Sequence, residues 1–208
     1  MLSEHLPHLI LAWSIQFMGI VSPGPGVMLI LGVATSRGRA ASLITSFGIA
    51  SGSVVLAAAT VLGVTAILAQ MADAMTVLRW LGAAYLFWLA YKSLKTAWGN
   101  PPLPKAQVTT VSPLRTGLTG FGLQISNPKA IGFWLAIAAV GGIGEAPLAI
   151  ILLFIGVAFL NSFLGHGAYA MLLSSPPIRR LYEKFRRIIE GVLGSLFLAA
   201  GFRLALSR

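Results

Sequence analysis

Cysteine is absent from the 208-residue sequence, which excludes disulfide bonds, thiolate metal sites and iron–sulfur clusters. Charge is also scarce: charged residues make up 10% of the chain, whereas a soluble domain carries about 25%. Hydrophobic residues make up 57%, and the mean hydropathy is +0.86. Apolar runs too long for the core helices of a soluble protein recur along the whole length. The sequence therefore predicts an all-α polytopic membrane protein that contacts the lipid bilayer.

Basic residues outnumber acidic ones by 15 to 5, so the net charge is +10. In a soluble protein this excess would indicate nucleic-acid binding, but here the basic residues occupy short connections between apolar runs. Eleven of them fall on alternate connections and their flanks, and three on the opposite side. The positive-inside rule then predicts cytoplasmic basic connections, both termini outside and no nucleic-acid partner. Residues 1–8 lack Lys and Arg, so the first apolar run is expected to be a retained span.

A transmembrane helix needs about 20 residues, which predicts six spans in this chain. The spans cover residues 6–35, 40–69, 76–95, 115–140, 147–173 and 188–206. Prolines at 101, 102 and 104 make the connection between the third and fourth spans a stiff hinge. We therefore expect a single transmembrane domain over 1–208, with one repeat over about 1–98, a linker over about 99–112 and a second repeat over about 113–208.

The first span is interrupted by Ser22-Pro23-Gly24-Pro25-Gly26, inside 28 residues without Asp, Glu, Lys, Arg or His. Proline removes a backbone donor, and glycine tolerates dihedrals that are closed to other residues. The motif therefore predicts a broken helix at mid-membrane depth. Backbone that leaves the helix there is tolerated only inside protein or beside a wet cavity. Such a break, with the free N–H groups of a new helix N-terminus, is a common binding site for a small ionic solute.

A second break, Ser126-Asn127-Pro128-Lys129, interrupts the fourth span 103 residues after the first. Each break lies in the first span of a three-span half. Because three is an odd number, the second half enters the membrane from the opposite face. This arrangement predicts two inverted three-helix repeats with a binding site at the midplane between them.

Lys129 has no charged residue within 13 positions on either side, and a lysine near mid-bilayer costs at least about 2.5–3.5 kcal/mol. One interpretation is that Lys129 and the free N–H groups after Pro25 and Pro128 attract a carboxylate, with Asn127 as a further donor and acceptor. The alternative is that Lys129 snorkels to an interface or is satisfied by carbonyl groups of the facing break.

Three other polar residues within the spans have two interpretations each. Gln16 and Gln124 precede the two breaks, so they are predicted to face the cavity or to form ordinary interhelical hydrogen bonds. His166 lies between two glycines of the fifth span. It is either a proton relay, because histidine titrates near neutral pH, or a helix-packing residue.

The segment after the fifth span carries apolar residues on one helical face and basic residues elsewhere, which favours a helix lying on the anionic inner surface before the sixth span. Glu183 with Arg187, and Glu190 with Arg186, are spaced as interfacial ion pairs. Glycines at 191, 194 and 201 predict a face for helix packing, either within one chain or between copies of it. The second alternative would make the protein a homo-oligomer. Gly48 and Gly52 predict a close helix contact.

The motifs resemble those of the LysE/RhtB amino-acid exporter family. The first break, followed by residues 37–40 (RGRA) and 47–52 (FGIASG), resembles the first half of that family, and residues 80–86 (WLGAAYL) resemble its third span. Residues 115–117 (RTG) and 127–130 (NPKA) resemble the start of its second half, and residues 201–204 (GFRL) its C-terminal end. The match covers nearly the whole chain in the family's order.

The resemblance implies proton-driven export of amino acids or their derivatives across a bacterial inner membrane, with no enzymatic activity and no cofactor. The absence of an HExxH motif and of paired intramembrane aspartates agrees with this. Carried over position by position, the resemblance implicates six residues in substrate binding. They are Pro23, Gly24, Pro25, Asn127, Pro128 and Lys129. With Gln16, Gly26 and Gln124 they form the predicted substrate site, and His166 is the candidate proton relay.

Departures from the family pattern leave the substrate open. Gly26 stands where many relatives have Asn or Asp, Ser42 replaces a glycine, and residues 138–141 lack the Pro-Gln-Phe of many relatives. Because neither break offers a carboxylate, a small neutral or aliphatic amino acid is favoured over a cationic one. Export of a metal cation or another small solute is the alternative, although the spans supply only His166 clearly as a metal ligand.

Overall fold

The computed structural model describes residues 2–68, 74–99, 112–140 and 143–206, and every regular element within them is an α-helix. The seven helices are α1 (Leu2–Val21), α2 (Pro25–Leu68), α3 (Ala74–Gly99), α4 (Pro113–Ser126), α5 (Pro128–Ala138), α6 (Leu148–Leu173) and α7 (Pro176–Leu206). The prediction of an all-α protein is confirmed. The predicted hinge at 101–104 lies outside the described residues.

Helix α1 ends at Val21 and α2 begins at Pro25, with Ser22, Pro23 and Gly24 between them. The amide of Ser22 makes the last hydrogen bond of α1, to the carbonyl of Met18 at 3.0 Å. Pro25 then occupies the first position of α2, where its missing N–H is not needed. The proline and glycine motif therefore separates α1 from α2.

The chain leaves helical geometry again at Asn127, between α4 and α5. Asn127 is extended, with φ −75° and ψ 113°, and its side-chain oxygen accepts from the amide of Lys129 at 3.0 Å. This is a side-chain cap on the new helix. Pro128 supplies the first residue of α5, so this interruption uses the same chemistry as the first.

Helix α2 bends sharply at Gly38, where φ is +80° and ψ is −174°. This conformation is strained for residues that carry a Cβ, so glycine is required there. The bend lies between Arg37 and Arg39, in the connection predicted between the first two spans. It divides the 44-residue helix into a short segment, residues 25–37, and a longer one, residues 39–68.

Helix α7 is continuous from Pro176 to Leu206, so the prediction of a separate surface helix before the sixth span is wrong. The apolar face of its first turns is covered partly by protein, because the ring of Tyr182 packs edge-on against Tyr169 of α6 with centroids 6.0 Å apart. Helix α7 has no internal proline that would end it before the apolar segment begins.

Two groups of helices build the packing. Helix α2 packs against α4 and α6, and α3 packs against α7. Close approach in the first group relies on glycine: Gly48 lies against Gly117 and Gly52 against Gln124, which confirms the contact predicted for Gly48 and Gly52. In the second group Gly194 and Gly201 face Leu94 and Phe87 of α3, so this glycine face packs within the chain.

Helices α2, α6 and α7 contain segments long and apolar enough to cross a membrane: Pro25–Gly63, Leu148–Leu173 and Pro176–Leu206. The shorter helix α5 is also apolar. Large hydrophobic side chains are exposed on several helices, among them Leu62 at 71%, Leu164 at 65% and Leu196 at 46%. Exposed leucines on helices of this length suit a hydrocarbon surrounding.

We expect Gly120→Ala to destabilise the protein and Gly122→Ala, two residues further along α4, to leave it unchanged or slightly more stable. A methyl group at Gly120 would press on the carbonyl oxygen of Thr45 in α2, whereas Gly122 has open space around it. Overpacking of this kind costs about 1–3 kcal/mol, and both variants share the same gain in helix propensity. Thermal unfolding in detergent measures the difference. Equal stability of the two variants would show that α2 and α4 do not meet at Gly120.

Candidate functional site

A cavity lies where the two interruptions meet, with an empty volume of about 500 Å³ that includes its open mouth. Its polar lining comes from both interruptions and from α1, α2, α4 and α6. The polar and glycine residues that line it are Gln16, Gly19, Ser22, Gly24, Gly26, Ser53, Gln124, Asn127, Lys129 and His166. Apolar residues, including Ile20, Val27, Phe133, Trp134 and Ile137, complete the wall. The cavity thus combines a few polar groups with an apolar wall, as small-molecule sites do.

Lys129 joins the two interruptions. Its ammonium group donates to the carbonyl oxygen of Ser22 and, at 3.4 Å, to that of Pro23. These carbonyls follow the C-terminal end of α1, where the helix dipole favours a positive charge. The same ammonium lies 6.0 Å from the centre of the Phe133 ring. These contacts match the second interpretation of Lys129, in which carbonyl groups of the facing break satisfy its ammonium group.

Gly24 leaves room for this contact. A methyl group at Gly24 would lie 2.9 Å from Cδ and 3.0 Å from Nζ of Lys129. Those distances are shorter than an ordinary carbon–carbon or carbon–nitrogen contact, so a larger residue would push the ammonium away from its carbonyl partners. The glycine is therefore used for close approach of the lysine side chain rather than for an unusual dihedral angle.

The first turn of α2 also faces the cavity, because Pro25, Gly26 and Val27 line it. The amide N–H groups of a first helical turn have no acceptor within the helix, and they favour anions. Gly26 faces His166, since a methyl group there would lie 3.4 Å from Nε2 of the histidine. Gly26 has no side chain of its own, and the imidazole of His166 supplies a polar group beside it.

Tyr85 of α3 supports the start of α5. Its hydroxyl donates to the carbonyl of Lys129 at 2.9 Å and to that of Pro128 at 3.2 Å. Its ring lies against Gly132, where no side chain would fit. Tyr85 thus fixes the helix turn that carries Lys129.

Hydrogen bonds connect Gln124 to His166 through two serines. Gln124 Nε2 donates to Ser53 Oγ at 3.0 Å, and Ser53 Oγ donates to Ser162 Oγ at 3.0 Å. Ser162 Oγ lies 3.3 Å from Nδ1 of His166, which is also 2.9 Å from the carbonyl of Ser162. This network links α2, α4 and α6 beside the cavity.

Gln16 belongs to a second set of bonds. Its Nε2 donates to the carbonyl of Ala158 at 2.8 Å, and its Oε1 accepts from Asn161 at 3.0 Å. Gln16 and Gln124 therefore make interhelical hydrogen bonds and line the cavity as well, so the two interpretations given for each of them are compatible. His166 is buried among helices, as its helix-packing interpretation requires, and it also borders the cavity.

The model of the family called LysE type translocator matches residues 17–208 of the chain. The chain belongs to this family. The resemblance indicated by the two breaks and their flanking motifs is thereby confirmed, and so is the expectation that the protein is a transporter and not an enzyme.

Relatives of this LysE-family chain include proteins of known and unknown substrate. The threonine efflux protein of Escherichia coli K12 is 29% identical over 199 residues, covering 93% of this chain and 95% of that protein. The threonine efflux protein of Salmonella typhi is 29% identical over 204 residues, with the same coverage. An uncharacterized membrane protein of Pseudomonas aeruginosa is 30% identical over 203 residues, covering 89% of each chain. No solved structure matches significantly.

Most of the predicted site residues of this LysE-family member come together. Gln16, Gly24, Pro25, Gly26, Gln124, Asn127, Lys129 and His166 all line the cavity. Pro23 and Pro128 lie outside its lining, and their carbonyls accept from Lys129 and Tyr85. Sequence reasoning missed Ser53, Phe133 and Trp134. Ser53 is a hydroxyl residue within an apolar span, but no signal in one sequence shows which helix face it occupies.

We expect Tyr85→Phe to lower the stability of the protein by about 1 kcal/mol, because the variant loses the hydrogen bonds to the first turn of α5 and keeps the ring. A loss of that size lowers the melting temperature by about 2–4 °C in a chain of this length. Tyr91→Phe is the matched control, since Tyr91 is 61% exposed on the same helix. Equal melting temperatures of both variants and the wild type would show that Tyr85 does not hold α5.

Proposed function

We propose that this LysE-family protein exports a small neutral or aliphatic amino acid from the bacterial cytoplasm across the inner membrane. The observation that carries the proposal is the position of Lys129, a cation beside two helix interruptions and in the wall of a cavity. A substrate carboxylate binds the ammonium and the first-turn N–H groups of α2. The substrate side chain contacts the apolar wall formed by Ile20, Val27 and Phe133.

In this proposal the chain crosses the membrane six times as two inverted repeats, with broken first and fourth spans and both termini outside. The helix contacts support it. If the first repeat is exchanged for the second, the packing of α2 on α4 corresponds to that of α6 on α1, and the contact of α3 with α7 corresponds to itself. Alternating access then follows from movement of one repeat against the other around the site.

The substrate class is supported by the relatives and by the cavity. Two relatives are named for threonine efflux, and threonine is small and neutral. Hydroxyl and amide groups near the cavity, such as Ser53 and Gln124, suit a hydroxyl substituent as well as an aliphatic one. Among the residues that line the cavity, His166 alone offers a side chain that divalent metals favour, so the described site supports an amino acid better than a metal cation.

Export against a gradient needs a driving ion, and the proposal assigns this role to the proton. His166 is the candidate relay because it borders the cavity and ends the hydrogen-bonded chain that begins at Gln124. The Nδ1 atom of its imidazole lies beside Ser162 and its Nε2 atom beside Gly26 in the cavity wall, so the ring connects the serines with the solute site.

We expect Lys129→Met to raise the concentration of L-threonine needed for half-maximal counterflow by at least about tenfold, the effect of losing one hydrogen bond to a charged group. Purified protein is reconstituted in liposomes, and uptake of labelled L-threonine into liposomes filled with unlabelled L-threonine is measured. Lys129→Arg keeps the charge and retains part of the activity.

Lys95→Met is the matched control, because Lys95 is an exposed lysine of α3 and its loss should leave counterflow unchanged. The melting temperature of each variant shows whether the fold persists. Unchanged affinity and rate in a folded Lys129→Met protein would remove Lys129 from the site. Counterflow with none of the small neutral amino acids, in the wild type, would refute the proposed function.

A further inference from the structure

A free amino acid carries an ammonium group as well as the carboxylate that Lys129 attracts. The 17 described residues that line the cavity include Lys129 and no aspartate or glutamate. A charge that enters a buried site nevertheless needs partners that form hydrogen bonds with it. Neutral acceptors in the cavity wall must therefore hold the ammonium group of an amino-acid substrate.

Most acceptors in and beside the polar part of the wall already have a donor. They are the carbonyls of Ser22 and Pro23 and the side-chain oxygens of Gln16, Ser53 and Asn127. Three side-chain acceptors are left among the described lining residues: the hydroxyl of Ser22, the amide oxygen of Gln124 and Nε2 of His166. The positions of these acceptors relative to the helix N-terminus that binds the carboxylate distinguish among them.

The backbone of α6 fixes which nitrogen of His166 carries the hydrogen. Nδ1 lies 2.9 Å from the carbonyl oxygen of Ser162, and because a carbonyl can only accept, Nδ1 is the donor. In the neutral imidazole Nε2 is then an acceptor with a lone pair. The side chain is only 6% exposed, and no described residue donates to Nε2. His166 thus presents a buried, unused acceptor to the cavity that it lines.

Nε2 of His166 lies beside the start of α2, since a methyl group on Gly26 would be 3.4 Å from it. Within the described chain, the first amide of α2 that bonds to a backbone carbonyl is that of Met28, to Gly24 at 2.9 Å. The N–H groups of Gly26 and Val27 are therefore available for an anion. The carboxylate and the ammonium of an α-amino acid are bonded to the same carbon, so their partners must be neighbours. The Gly26 amide and the His166 imidazole meet this requirement.

We propose that Nε2 of His166 accepts a hydrogen bond from the α-ammonium group of the transported amino acid, beside the α2 amides that bind its carboxylate. This inference rests on the proposed function. A hydrogen bond from a charged donor is stronger than one between neutral groups. Gly26 leaves the imidazole nitrogen open to the substrate, because a side chain there would cover it. The relay proposed for His166 uses the same lone pair, so a proton and a substrate ammonium occupy it in turn.

Two analogues of L-threonine test the assignment, because each keeps one of its charged groups. 3-Hydroxybutanoate has the carboxylate and no amino group, and L-threonine amide has the ammonium and no carboxylate. Their inhibition constants are measured against counterflow of labelled L-threonine in liposomes. His166→Asn keeps a donor for the carbonyl of Ser162 and removes Nε2. We expect this variant to bind L-threonine and its amide at least about tenfold more weakly, the effect of losing a hydrogen bond to a charged group, and to bind 3-hydroxybutanoate as before.

His166→Gln is the matched control, because its amide oxygen can take the place of Nε2, and it should retain most of the affinity for L-threonine. Lys129→Met should show the reverse pattern, with weaker binding of 3-hydroxybutanoate and unchanged binding of the amide. Melting temperatures show which variants are folded. If His166→Asn does not fold, Gly26→Ala takes its place, since it keeps the imidazole and covers Nε2 with a methyl group.

The inference and the proposed function fail in different ways. Unchanged affinity for L-threonine in folded His166→Asn would overturn the inference, and so would equal weakening of both analogues, which is the result that a helix-packing histidine predicts. Either result leaves the proposed function in place. Counterflow with no small neutral amino acid in the wild type would instead refute the proposed function, and this inference with it.

Discussion

The contact between the ammonium of Lys129 and the carbonyls that follow α1 is the interaction on which the site depends. It joins the start of one short helix to the end of another across 107 residues of sequence. Two interrupted helices inside an apolar protein leave backbone groups that lipid cannot satisfy. Lys129 satisfies some of these groups, because its ammonium donates to carbonyls at the C-terminal end of α1. The lysine side chain passes so close to Gly24 that a side chain at this position would press on it.

Support for that contact comes from neighbouring helices. Tyr85 holds the first turn of α5, and the glycines of α2 and α4 let these helices approach closely. Polar side chains from α2, α4 and α6 satisfy one another in a line from Gln124 to His166. In the proposed function, a substrate carboxylate shares Lys129 with the backbone carbonyls, so substrate binding weakens the bond that joins the two interruptions. That competition is a physical route from binding to movement of the repeats.

Sequence reasoning reached the helical class, the two proline motifs at which α2 and α5 begin, and eight of the 17 residues that line the cavity. Those features rest on local chemistry, since proline and glycine act on their own backbone. Glu190 and Arg186 were predicted as an interfacial pair, but α7 buries both of them, with Glu190 4% exposed. Their spacing suits a surface pair as well as a buried one, and only the packing of α7 on α3 distinguishes the two. Ser53 and Phe133 were missed for the same reason: their role depends on which face of a helix another helix covers. The length of α7 was underestimated because its basic first turns resemble an interfacial segment.

The natural absence of cysteine allows a direct test of the central claim, that both interruptions border one water-accessible cavity that holds the solute. Single cysteines are placed at Ala130, in the cavity wall, and at Leu196, which is exposed on α7. A membrane-impermeant thiol reagent is then applied to vesicles with and without L-threonine. The account predicts that the cysteine at position 130 reacts and that L-threonine slows the reaction severalfold, while position 196 stays unreactive. Failure of position 130 to react, or a rate that no small neutral amino acid changes, would contradict the account.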